Sequence, residues 1–133
     1  MPGGYSGTPL AKKLGLKPGQ RVWFFAMPES VRAEIGDVGL SEEAEPQDGV
    51  DAVHVFTTER RELEALLTRL RTLIARDGMV WVSWPKKAAK VPTDITEDTI
   101  REVALPIGFV DVKVCAVDET WSGLKLVIRR ELR

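Results

Sequence analysis

Apolar residues in this chain fall into two patterns. The first is the short continuous run: residues 21–27 (Arg-Val-Trp-Phe-Phe-Ala-Met), 50–57 and 79–84 are dense in Val, Trp and Phe. Runs of strand length without polar alternation suit strands covered on both faces. The second is helical spacing. Leu63, Leu66, Leu67, Leu70, Leu73 and Ile74 recur at three- and four-residue intervals, which predicts an amphipathic helix over residues 59–76, ended by Asp77 and Gly78.

Punctuation residues fix the smaller elements. Thr8, Pro9 and Gly15 bracket a short helix carrying Leu10 and Leu14, with Thr8 as cap and Pro9 at the first position. Pro28 opens another, with Val31 and Ile35 on one side and Gly36 as its stop. Residues 37–49 are acidic and irregular, with Val38 and Leu40 as the only material for a brief edge strand. Asp94 and Glu97 have capping-box spacing for a helix carrying Ile100, Val103, Ala104 and Ile107, closed by Pro106 and Gly108. Residues 109–117 and 124–132 are β-rich around a polar turn at 118–123, which predicts a terminal antiparallel hairpin.

Strands alternating with helices predict an α/β fold, a single Rossmann-like and mainly parallel sheet with helices on both faces and a C-terminal antiparallel hairpin. Residues 9–133 are expected to form that one domain, and the glycine-rich residues 1–8 a flexible N-terminal arm.

Composition narrows the function classes. At 133 residues, 44% hydrophobic and 29% charged, the chain has the size and balance of one globular domain. A net charge of −1 gives no global basic field, so nucleic acid is not an expected partner. One cysteine, Cys115, and one histidine, His54, supply neither a disulfide nor a tetrahedral zinc set. No run approaches the roughly 20 apolar residues that span a bilayer, so the expected location is cytoplasmic and membrane is not an expected partner.

The stretch from Leu14 through Lys17-Pro18-Gly19 to Val22, together with Asp51-Ala52-Val53-His54-Val55-Phe56, Gly78-Met79-Val80-Trp81-Val82 and the closing hairpin, resembles the strand succession of Rossmann-like methyltransferases. More closely, Gly4-Tyr5-Ser6-Gly7-Thr8-Pro9-Leu10, Trp84-Pro85-Lys86-Lys87 and the segment from Lys113 to Trp121 resemble a bacterial family of small proteins recorded as a domain of unknown function. The first resemblance implies a methyltransferase-type scaffold. It also implies a glycine-rich loop after the first strand for S-adenosylmethionine, and an acidic residue at the end of the second to hold the ribose. Here the loop reads Ala26-Met27-Pro28-Glu29-Ser30, and the second strand is expected to be reduced or lost. Methyl transfer and a bound cofactor are therefore not expected.

In open α/β sheets ligands bind beyond the carboxyl ends of the strands, which singles out Ser30, Thr57, Thr58, Trp84, Lys86 and Lys87. Helix N-termini at the first three and at Thr93-Asp94 could hold an anion, with Lys90 nearby; the simpler reading is that Ser, Thr and Asp there cap helices. Trp84 beside Lys86 offers either a platform for a ring-bearing ligand or plain packing over the sheet edge. His54, mid-strand, and Cys115, in an apolar strand, read as packing residues. Asp118 and Glu119 read as a solvated turn, and Arg60, Arg61, Arg69 and Arg71 as the outer face of the long helix.

Two functions follow as expectations. One is a non-catalytic binding or regulatory module, with a protein partner or a second copy of the chain as homodimer. The alternative is a protein or enzyme binding a small anionic or nucleotide-like molecule in the strand-end cleft. No catalytic or metal-ligating residue is assigned in either.

Overall fold

The computed structural model describes residues 8–133, so the arm expected at residues 1–8 lies, but for Thr8, outside the described residues. The runs of Val, Trp and Phe become a six-stranded sheet: β1 (Arg21–Phe25), β2 (Ser41–Glu42), β3 (Val50–Phe56), β4 (Ile74–Pro85), β5 (Phe109–Ala116) and β6 (Trp121–Ile128). Its order is β2-β1-β3-β4-β6-β5. The first four strands are mutually parallel, and β6 runs antiparallel to both β4 and β5. The helices are α1 (Leu10–Lys13), α2 (Glu29–Ile35), α3 (Arg60–Leu73) and α4 (Glu97–Ala104).

Period-two alternation splits the core into two layers. Val53, Val55, Val80, Val82 and Trp84 face one way and pack with Leu63, Leu67 and Leu70 of α3 and Ile100 and Val103 of α4. Val22, Ala52, Phe56 and Trp81 face the other and pack with Leu10, Leu14, Val31 and Ile35 around α1 and α2. Trp81 is buried in the second layer, and its indole N–H donates to the Leu14 carbonyl at 2.9 Å. That bond ties the loop after α1 to the central strand.

Several element boundaries differ from those expected. The long helix stops at Leu73, and Ile74 is already extended and paired with Val50. Leu73 and Ile74 continue the helical spacing, so the pattern alone could not see the break. Gly78 is consequently not a helix stop but a strand residue beside a register shift in β3/β4, where a side chain has no room. The edge strand is Ser41–Glu42 rather than residues 38–40. Pro9 occupies the cap position of α1, one place before that expected. In the hairpin, Trp121 belongs to β6, which shortens the expected polar turn.

The capping box belongs to Thr96 and Thr99, not to Asp94 and Glu97. Asp94 instead reaches across to α3, its Oδ1 accepting from the Arg60 backbone N–H at 2.7 Å. Asp94→Ala should therefore weaken α3, about 1 kcal/mol in a urea titration, the usual value of a capping side chain. An unchanged midpoint would mean that solvent serves the α3 terminus equally well.

Both edges of the sheet are blunted. β2 has two residues, and β5 carries a register shift between Asp111 and Lys113. Short strands, bulges and edge lysines all discourage pairing with another chain.

Candidate functional site

The carboxyl ends of β1, β3 and β4 meet the N-termini of α2, α3 and the 84–97 segment. The helix donors there are largely spoken for. The Thr57 hydroxyl accepts from the Glu59 N–H at 3.3 Å and donates to Glu62 Oε1 at 2.6 Å. Asp94 takes the next donor, and the Thr58 carbonyl accepts the Thr93 hydroxyl at 2.7 Å. Thr96 and Thr99 close the start of α4 on themselves. Thr57 is buried in this web and Ser30 is exposed on α2; neither lines the cleft below.

That cleft, of about 620 Å³, lies beyond β4. Trp84, Pro85, Val91, Pro92 and Ile95 give it an apolar floor, and Lys86, Lys87 and Lys90 stand around it. The structure thus brings Trp84, Lys86 and Lys87 together and leaves Ser30, Thr57 and Thr58 outside the lining. Trp84 is only 8% exposed, packed in the α4 layer, so little of its ring is left for stacking. Sequence reading missed Ile95, which follows Asp94 in the chain and is buried against the same layer. An isolated apolar residue after a polar cluster was its only signal.

The lysines carry no ion pair: all ten ion pairs among the described residues use arginine. Three unpaired cations around an apolar floor suit a molecule with an anionic group and a hydrophobic body.

The opposite corner, beyond β1, has the position where a cofactor loop would lie. Ala26 holds φ 54, a left-handed conformation natural to glycine and costing other residues about 1 kcal/mol or more. Met27 and Pro28 follow, so the loop turns without a glycine. The second strand is reduced to two residues, and acidic residues stand at its end. Both are tied down. Arg32 grips Glu42 with two bonds, 2.6 and 2.9 Å, while its guanidinium lies 5.6 Å from the Phe24 ring centre. Glu43 accepts from Arg21 Nε at 2.7 Å and from the Gln47 N–H at 3.1 Å. These residues do not fit S-adenosylmethionine: the loop lacks its glycines and the ribose-side carboxylates already have partners.

Other chemistry-bearing groups are enclosed. His54 Nε2 shares a 2.7 Å hydrogen bond with the Ser83 hydroxyl, both buried, and its ring stacks on Phe56 at 4.4 Å. Burial pushes the imidazole down to about 3, so it is neutral at pH 7. Neither atom lines a cleft, which leaves this serine–histidine pair a structural bond. Burial likewise raises the Cys115 thiol, keeping it protonated and unreactive. Asp118 organises the hairpin, its Oδ1 accepting from the Thr120 and Trp121 N–H groups at 2.8 and 2.7 Å. No cluster of three or more metal-ligating side chains exists among the described residues, and none of their helices is long and apolar enough to cross a membrane.

Strand order, paired helix layers and terminal hairpin define a Rossmann-like domain of the methyltransferase type. The chain belongs to the family described as "Protein of unknown function (DUF3052)", whose model matches residues 11–130. Solved methyltransferase structures share the fold. A SAM-dependent methyltransferase from Aquifex aeolicus is 16% identical with a TM-score of 0.67, covering 90% of this chain and 87% of its own. Fibrillarin from Aeropyrum pernix, with natively bound S-adenosyl-L-methionine, is 12% identical with a TM-score of 0.59, covering 93% and 70%. No curated protein matches the chain. Likeness at such identity concerns the fold alone, because function resides in the site built on it.

Proposed function

We propose that this protein is a non-catalytic binding module on a methyltransferase-type scaffold whose cofactor corner lacks its glycines and has its carboxylates tied to arginines. The observation that carries the reading is the Arg32–Glu42 clamp over Phe24, beside a β1 loop of Ala26, Met27 and Pro28. A carboxylate held by two charge-assisted bonds has no incentive to receive ribose hydroxyls. The partner in this reading is another protein or a second copy of the chain, acting through binding rather than turnover. Titration with S-adenosylmethionine and S-adenosylhomocysteine under a thermal ramp is the direct test. A bound ligand at 100 times its dissociation constant adds about 2.7 kcal/mol, so a flat response to both supports the module. A saturable rise of several degrees overturns it.

The cleft at Trp84 favours a second reading, in which a small anionic molecule with an apolar body is the ligand. Its volume lies within the range of small-molecule sites; the one carboxylate in its lining, Glu97, is paired with Arg101, and Lys86 and Lys87 form no ion pair among the described residues. In a panel of phosphorylated and carboxylated metabolites, a hit should bind the Lys86→Ala/Lys87→Ala variant about tenfold more weakly, the combined worth of two rim charges. Equal affinity would move the ligand elsewhere.

A further inference from the structure

A second cleft, of about 530 Å³, lies at the other end of the sheet, where the parallel strands begin. It is lined by the loop before β1, including Gly15, Lys17 and Gln20, by Asp77 to Met79, and by Lys125 of β6. Antiparallel register sets Lys113 of β5 directly opposite Lys125. Like charges facing each other across two strands are destabilising, yet no carboxylate within 4 Å relieves Lys17, Lys113 or Lys125 among the described residues. The nearby acids have other duties or stand apart. Asp51, which also lines the cleft, accepts the Arg21 N–H at its Oδ2 at 2.8 Å, and Asp111 is paired with Arg101 at 3.0 Å; Asp77, in the lining too, forms no ion pair with any of the three lysines.

We propose that Lys17 and Lys125, which line this cleft, together with Lys113 set opposite Lys125 on β5, form a site for a small phosphate-bearing anion. Lys125 is half-buried on the sheet face, and burial together with Lys113 and Lys17 presses its ammonium toward losing its proton. A dianionic group placed among the three would offset the repulsion, so the protein gains from the ligand what it lacks internally. The position is independent of the carboxyl-edge cleft, so it does not rest on either reading above.

The test is titration of the full chain with pyrophosphate, against sodium chloride of equal ionic strength, by thermal ramp and amide NMR, with a short single-stranded oligonucleotide in parallel. Pyrophosphate should raise the midpoint by several degrees and move the amides of Lys17 and Lys125. Lys125→Met, which keeps the aliphatic stem, and Lys113→Thr, at an exposed strand position, should each weaken binding tenfold or more. Each variant should also melt above the wild type when no anion is present. Absence of binding, equal affinity in both variants, or shifts confined to residues 84–96 would overturn the site. Binding of the oligonucleotide without pyrophosphate would overturn the small-molecule assignment.

Discussion

Gly78→Ala is expected to cost about 3 kcal/mol, the upper end of what overpacking does, lowering the melting midpoint by about 10 °C for a domain of this size. The added Cβ would lie 2.8 Å from the Asp51 carbonyl oxygen, 2.8 Å from Ile74 Cγ1 and 3.1 Å from the Ala75 carbonyl oxygen. Two of the three obstacles are backbone, which cannot rotate away as a side chain would. Gly19→Ala is the informative comparison. Nothing lies within 4 Å of its Cβ, but its φ is +86°, so it pays only for an unfavourable dihedral, about 1 kcal/mol. Circular-dichroism melts of the two variants separate steric exclusion from backbone strain. Equal losses would show that the β3/β4 irregularity yields to a methyl group.

The protein should also lose stability on mild acidification through His54, its only histidine. The imidazole titrates at about 3 in the folded state against 6.5 when free. Between those values the unfolded chain takes up a proton that the folded chain refuses, so stability falls as pH drops from 6.5 and levels off below about 3. The slope approaches 1.36 kcal/mol per pH unit, or about 2 kcal/mol between pH 6.5 and 5. Urea unfolding of wild type and His54→Gln across that interval is the check. Gln retains a partner for the Ser83 hydroxyl but does not titrate, so its profile should be flatter; parallel profiles would remove His54 as the cause.

Strands buried on both faces announce themselves, which is why β1, β3 and β4 were legible from Val, Trp and Phe alone. The helices α2 and α3 were legible from spacing, and the hairpin from its turn residues. Boundaries failed where two signals coincided: Ile74 satisfies the helical period of α3 yet begins β4. The site was legible only where its residues are consecutive, as in Trp84-Pro85-Lys86-Lys87. The Arg32–Glu42 clamp spans ten residues, and the Asp94 cap of α3 spans thirty-four. Neither leaves a mark in local sequence, because each depends on which loops the sheet order brings together. Thr57 shows the same limit from the other side. It stands at the end of a strand as a ligand-binding residue would, but the partner that decides its role, Glu62, sits in the first turn of the next helix.

With every ion pair among the described residues made by arginine, the surface can change without touching them. Lysines make up eight of the nineteen basic residues, and among the described residues only Lys13, bonded to the Ala116 carbonyl, uses its ammonium within the fold. The tertiary ion pairs and the lysine charge are thereby held by different side chains. Lysine acetylation, which removes charge, or substitution by a neutral residue can retune what the exterior attracts while the arginine contacts stay in place. Surface recognition in this domain is thus free to drift, or to be switched by modification, at little cost to the scaffold beneath it.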